Sequence, residues 1–307
     1  MGVLKSVRVK VPASTANLGP GFDSIGLALN LYLEIDMSFS ENFKIDLIGK
    51  HLSKLPQNKE NLIYQVAQGL LMEQGINKEL AIVVDGQIPI GRGLGSSASA
   101  IVGALVAANE LIGAPFSREE LFVKASALEH HPDNAGAAMF GGIVVASCDQ
   151  EDVEYVKISP DEHLEMLVVV PDNELATKTS RNVLPSDYTL KQAVFNVSHA
   201  CLLVAALCEG RLDKLSWGMR DALHQPYRAA LVPGLLRLIE ECPKHGALGV
   251  ALSGAGPTVI ALVDKDNENK FELEKFMLQT MADEGVKAQT MWLLPDSQGT
   301  QCETIYE

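Results

Sequence analysis

The chain has 307 residues, 47% of them apolar, and its 39 Asp and Glu against 25 Lys and Arg give a formal net charge of −14. It is long and apolar enough for one large or two ordinary packed domains, and its acidity excludes sequence-independent binding to a phosphate backbone. Five cysteines with no C-x-x-C pair exclude a disulfide framework and a structural zinc site, and fit a reducing cytoplasm.

At the N-terminus, Lys5, Arg8 and Lys10 alternate with Val7, Val9 and Val11, a strand pattern rather than the apolar core of a signal peptide. This first strand, 7–11, is expected to end at Pro12 in a loop. A second strand follows around Leu31, Leu33, Ile35 and Met37, and a short third at 43–48. An apolar stripe of Ile63, Val66, Ala67, Leu70 and Leu71 predicts a helix over 61–74, ended by Gly75. A β-branched run at 80–84 closes on Asp85-Gly86. A glycine-rich loop then feeds a small-residue helix over 97–112. Ser117 with Glu120 starts the next, over 118–128, as a capping box. After a strand at 143–147, the acidic stretch 149–154 is the best domain boundary.

The second half is expected to open with strands at 155–158 and 164–170. Helical patterns follow over 189–208, 212–223 and 234–241. Then come a strand at 248–252, a tight glycine loop, a strand at 258–263, a helix over 270–282 and a strand at 287–293. From residue 164 the order is β–α–β–β–α–β, a split βαβ. The reading is an α+β chain of two domains, 1–152 and 153–307, with the active site at their junction. The longest apolar runs, 98–108 and 200–207, are too short to span a bilayer, so a soluble cytoplasmic protein without membrane or nucleic-acid partners is expected.

Pro89, Ile90, Gly91, Arg92, Gly93, Leu94, Gly95, Ser96, Ser97, Ala98 and Ser99 form the densest signal. Three glycines in five positions admit positive φ and close approach of a ligand to the backbone. The helix that follows turns its unpaired N–H groups and positive dipole end onto the same point, which suits phosphate oxygens. Ser96 and Ser97 add hydroxyls for phosphate or Mg2+. The string lacks the Lys of a Walker A loop and the third glycine of a dinucleotide fingerprint. It resembles the phosphate loop of the GHMP kinases, the superfamily of galactokinase, homoserine kinase, mevalonate kinase and phosphomevalonate kinase. A valine at Gly95 is expected to abolish ATP binding with the fold intact, its Cβ standing where phosphate approaches.

Residues 11–26 are a run of turn residues expected at the surface. The string Pro12 … Asn17-Leu18-Gly19-Pro20-Gly21-Phe22-Asp23 resembles the N-terminal pattern of the homoserine kinase family. Further on, Glu129-His130-His131-Pro132-Asp133-Asn134 follows a helix end. Adjacent histidines do not share a face, which argues against zinc. Glu129 and the Ser97 hydroxyl form an oxygen pair suited to Mg2+, and the superfamily resemblance implies the same two residues. The homoserine kinases carry Gly where this chain has His130, a modest cost if the backbone there needs positive φ.

The resemblance runs from Pro12 to Pro257 in consistent order. It implies a GHMP kinase fold: an N-terminal domain with a left-handed βαβ-type phosphate loop, and a ferredoxin-like C-terminal domain. It implies ATP and Mg2+, with transfer of a phosphoryl group to the side-chain hydroxyl of L-homoserine, a step of threonine biosynthesis. By resemblance, Asn17, Asp23, His131, Asn134, Thr177, Arg181 and Arg228 contact the substrate, the two arginines gripping its carboxylate. The loop 251–258 would close on the phosphate loop. No general base is evident; Asp133, Asn134 and Thr177 are the candidates. A mevalonate-like substrate and a catalytically silent metabolite sensor are the alternatives, and a homodimer is left open.

Overall fold

The structure, a computed structural model, describes residues 4–150 and 152–306; the remaining residues of the two expected domains, Glu151 of the acidic stretch among them, lie outside the described residues. The first half contains β1 (Leu4–Asn17), β2 (Gly21–Ser40), β3 (Lys44–Ile48), α1 (Leu62–Glu73), β4 (Glu79–Gly86), α2 (Ser96–Leu111), α3 (Arg118–Glu129), α4 (Asp133–Phe140), β5 (Ile143–Asp149) and β6 (Asp152–Ile158). Then come β7 (Leu164–Pro171), α5 (Thr177–Asn182), α6 (Leu190–Cys208), α7 (Leu215–Gly218), α8 (Gln225–Arg228) and α9 (Leu235–Glu241). The chain ends with β8 (Gly249–Leu252), β9 (Val259–Asp264), α10 (Lys270–Asp283), β10 (Ala288–Leu293) and β11 (Gln301–Tyr306).

The first sheet runs β11-β1-β2-β4-β3, with β5 on the near end of β2 and β6 on β5. Val7, Val9, Val11 and Ala13 of β1 alternate into the core, as the period of two requires. The strand does not stop at Pro12. Its ladder with β2 shifts register between Pro12 and Ala13, a bulge that accommodates a residue without an N–H. The string expected as a surface loop therefore continues as paired strand, with Ser14 and Thr15 fully buried and Asn17 3% exposed. Its turn, 18–20, leaves the ladder, residues 22–24 bulge out between the paired Gly21 and Gly26, and the second half covers the turn: a Cβ on Gly19 would stand 2.0 Å from Met219 O. The glycines here permit close packing rather than exposure.

The boundary expected at 152 falls in the turn of the β5–β6 hairpin, where Asp149 faces Asp152. β6, expected to open the second half, belongs to the first sheet, and β11 returns to it against β1. The α2 helix is buried on nearly every side, in keeping with its run of Ala, Ile, Val and Leu.

The second sheet is antiparallel with order β10-β7-β9-β8, the ferredoxin-like arrangement. Along β7, Met166, Val168 and Val170 join the core of the first domain, while Leu167 and Val169 face the cluster under α9 and α10. The helix expected over 212–223 is shorter. After α7 the chain turns, and the Asp221 carboxylate accepts the N–H groups of Leu223, His224 and Gln225, which starts α8 instead. The α6 helix has 19 residues and a mean hydropathy of 1.4, long and apolar enough by composition to cross a membrane. Its buried Asn196 donates to Pro20 O and accepts from Ala222 N, so that face is committed to the protein.

Candidate active site

A cavity of about 920 Å³ lies between the two sheets, lined by the phosphate loop, the start of α2, the β1–β2 turn region, the α3–α4 junction, α5 and the 254–256 turn. Gly91, Gly93 and Gly95 take φ of +64°, +75° and +70°, so alternate residues of the loop are left-handed and the loop curls over the N-terminus of α2. Gly95 is the N-cap and supplies no side chain, which leaves the first N–H groups of α2 to a ligand.

The eleven loop residues divide by direction. Ile90, Gly91, Gly93, Gly95, Ser96, Ser97 and Ala98 line the cavity. Pro89 and Leu94 are buried, and Ser99 Oγ is shared between Pro12 O (2.9 Å) and Gly95 O (3.0 Å), tying α2 to β1. Arg92 turns away from the cavity and donates to Ile90 O, Pro171 O and Asp172 O at 3.0, 2.9 and 2.6 Å. It anchors the loop to the end of β7. A Cβ on Gly95 would meet Ser14 Oγ at 2.1 Å, not open cavity. The expectation for Gly95→Val is corrected accordingly: the clash is with β1, so the loop itself could not form.

Ser97 Oγ donates to Glu129 Oε1 at 2.5 Å. His130 ends α3 at φ +66°, the left-handed position that a Gly would take more readily. The following residues form a helix start rather than an isolated turn. Asp133 Oδ1 accepts from Asn134 N (2.6 Å) and Asn134 Nδ2 (3.2 Å) and lies 2.9 Å from His131 Nδ1. Burial opposes a charge on His131, but the hydrogen bond to Asp133 and the nearby carboxylates of Asp133, Asp23 and Glu129 outweigh it and raise its pKa. Asn134 Oδ1 accepts from Ser14 Oγ at 2.9 Å.

Asn17, at φ +72°, donates through Nδ2 to Gly254 O (2.9 Å) and accepts the Asp23 N–H (3.0 Å). Asp23 is left-handed too, at φ +56°. Its carboxylate forms a fork with Arg181, Nη1 to Oδ2 at 3.0 Å and Nη2 to Oδ1 at 2.7 Å. Arg228 is 1% exposed and donates to Ser180 O and Gly254 O, each at 3.1 Å. Burial and the neighbouring Arg181 charge lower its pKa to about 10. Both guanidiniums lie over Phe22, at 5.5 and 5.3 Å from the ring centre. Thr177 is exposed at the start of α5 on the cavity wall.

The third loop closes on the first. Ser253 Oγ donates to Gly93 O at 2.6 Å and so accepts from Thr15 Oγ1 at 2.9 Å, while Gly254 N bonds Ala16 O. Ser14, Phe22 and Ser253 lie inside the motif strings, but nothing local to those strings signals their partners, which lie 120 to 238 residues away where hydrogen-bonded. The apolar wall of Leu33, Leu47, Leu52, Leu55, Val84 and Ile88 was also missed, because its residues read as ordinary core.

Residues 61–142 match the family profile of the GHMP kinases N terminal domain, and residues 203–276 that of the GHMP kinases C terminal domain. With the glycine loop at a helix mouth and a ferredoxin-like second sheet, these matches make the chain a GHMP kinase. It is 41% identical to the homoserine kinase of Carboxydothermus hydrogenoformans over 95% of both chains, and 41% identical to that of Deinococcus radiodurans over 96% of both. The crystal structure of homoserine kinase from Cytophaga hutchinsonii aligns with a TM-score of 0.87 at 26% identity, covering 99% of each chain. The chain belongs to the homoserine kinase family.

Proposed function

We propose that this kinase transfers the γ-phosphoryl group of ATP to the side-chain hydroxyl of L-homoserine, giving O-phospho-L-homoserine and ADP, and so serves threonine biosynthesis. The observation that carries the reading is the Asp23–Arg181 fork beside Arg228, in the same cavity as the glycine loop. The fork is an internal zwitterion. An α-amino acid brings an ammonium for Asp23 and a carboxylate for Arg181 and Arg228, so it can exchange partners with the fork and leave neither half of the fork unpaired. A hydroxy acid such as mevalonate has no ammonium and would strand Asp23, which disfavours the main alternative.

The apolar wall suits the adenine base, and the left-handed glycines with the first amides of α2 suit the triphosphate. Ser97 Oγ and Glu129 Oε1 are an oxygen-only pair that also lines the cavity, a donor set that fits Mg2+, which keeps most of its own water. When bound, Mg2+ would neutralise phosphate charge. Catalysis then rests on alignment and charge compensation, because the transition state of phosphoryl transfer is loose. Asn17, His131, Asn134 and Thr177 orient the amino acid. Asp133 is 2% exposed and its Oδ1 is occupied by His131 and Asn134, so it serves as their anchor rather than as a base. The hydroxyl proton passes to the transferred phosphoryl oxygens.

A coupled ADP-release assay with L-homoserine, L-threonine, mevalonate and galactose tests the reading. L-homoserine should give the highest kcat/KM; better turnover of another alcohol with none of homoserine would refute it.

A further inference from the structure

His224 is fully buried and has no part in the chemistry above. Its two ring nitrogens face partners of opposite demand. Nε2 lies 2.8 Å from Gly19 O, which can only accept, so Nε2 carries the proton. Nδ1 lies 3.2 Å from Arg228 Nη1, which can only donate, so Nδ1 is a bare acceptor. The ring face stacks on Phe22 at 5.2 Å, the ring over which both guanidiniums also lie. Arg228 thereby spends Nε on Ser180 O and Nη1 on Gly254 O and His224. Among the described residues its Nη2 has no protein acceptor, and Arg228 lines the cavity.

We propose that His224, held as the Nε2–H tautomer by the Gly19 carbonyl, is a positioning residue for Arg228, its Nδ1 lone pair fixing the guanidinium so that Nη2 meets the carboxylate of the amino-acid substrate. This rests on the reading of Arg228 as a carboxylate-binding group. The device links the β1–β2 turn to α8: the turn carbonyl sets the ring, and the ring sets the arginine. A long flexible side chain would otherwise lose rotamer entropy on gripping the ligand, and a prefixed one has already lost it. The charged groups facing the ring are Arg228 on α8, Asp23 on β2, and Asp221, whose Oδ2 lies 3.6 Å from Nε2 while accepting backbone N–H groups. A second proton on the ring would point Nδ1–H at the guanidinium. Burial first, and the Arg228 charge in addition, lower the pKa of the ring against the pull of Asp221.

Two isosteres separate the halves of the device. His224→Gln can keep a donor for Gly19 O but offers Arg228 no acceptor at the Nδ1 position; His224→Asn places its amide oxygen there and gives up Gly19. With ATP and L-homoserine, H224Q should raise KM for homoserine by about tenfold or more with KM for ATP within about twofold, and H224N should recover most of that loss. Equal homoserine KM values for the two variants, or a rise in KM for ATP as large as that for homoserine, would overturn the proposal while leaving homoserine as the substrate. Failure of the wild-type protein to turn over homoserine would instead remove the functional reading beneath it. Should either variant not fold, 15N spectra of histidine-labelled wild-type protein decide: a neutral ring protonated at Nε2 is expected, and one protonated at Nδ1 is contradictory.

Discussion

Arg181 shows how one side chain can be committed and available at once. Its fork with Asp23 is about one-third exposed on each side, so breaking it costs little beyond a surface ion pair, and a zwitterionic ligand can replace both halves, as proposed above. Arg181→Ala should raise KM for L-homoserine by about 10- to 100-fold and leave KM for ATP nearly unchanged, read by steady-state kinetics; equal effects on both would detach Arg181 from the amino acid. His131 gives a pH-dependent expectation. Its pKa is raised in the folded state, so the stabilisation it adds is fully present below its unfolded value and is lost as pH rises through the folded value. Thermal melts of wild type and His131→Gln should therefore differ more near pH 6 than near pH 9; an equal or larger difference at pH 9 would contradict this. At this scale the sequence exposed residue types well and directions poorly. Asp23, Arg181 and Glu129 were legible because charged groups stand out among turn residues. Arg92 stands inside the phosphate-loop string yet binds three carbonyls, and the role of His224 depends on a carbonyl 205 residues away.

Among elements, periodicity found α1, α2, α3, α6, α10 and most strands within a residue or two, since their apolar faces are long enough to average over. It failed where tertiary pairing overrode local signals. Pro12 marks a bulge rather than an end, because β2 is there to absorb the register shift. The α4 helix is only eight residues of mostly small side chains, too short to show a period, and β11 alternates weakly because it is an edge strand. The glycines of the phosphate loop are not equivalent, although the sequence presents them so. A Cβ on Gly91 has no neighbour nearer than 3.5 Å, so Gly91→Ala should cost only the left-handed penalty of about 1–2 kcal/mol. A Cβ on Gly93 would lie 2.2 Å from Ser253 O and 3.0 Å from Gly256, backbone against backbone. Gly93→Ala should lose more than about 3 kcal/mol in urea unfolding, or yield insoluble protein, and similar melting of the two variants would contradict this ordering.

Across the whole molecule, the two sheets share one core and the cavity lies on their seam. Polar ties cross the seam at Arg92, Asn196 and His224, and at one turn Ser253 sits between Thr15 and Gly93, and Gly254 O between Asn17 and Arg228. The proposed nucleotide and amino-acid sites are therefore anchored to the same short turn. Ser253→Ala should cost about 1–2 kcal/mol of stability and raise KM for ATP, seen as a lower melting temperature with weakened nucleotide binding in calorimetry. The two-domain architecture and the order of its motifs were legible, whereas the crossing of β6 and β11 into the first sheet was not, since strand exchange between domains leaves no local mark.

In the proposed complex, amides around Gly91 to Ser97 hold the triphosphate while Asp23, Arg181 and Arg228 hold the amino acid across from it. A crystal of the protein with a non-hydrolysable ATP analogue, Mg2+ and L-homoserine tests both at once. The expected result is the γ-phosphate at the N-terminus of α2, with the homoserine hydroxyl in line and the Asp23–Arg181 fork opened onto the ligand. A nucleotide bound elsewhere, or homoserine absent with the fork closed, would contradict the account.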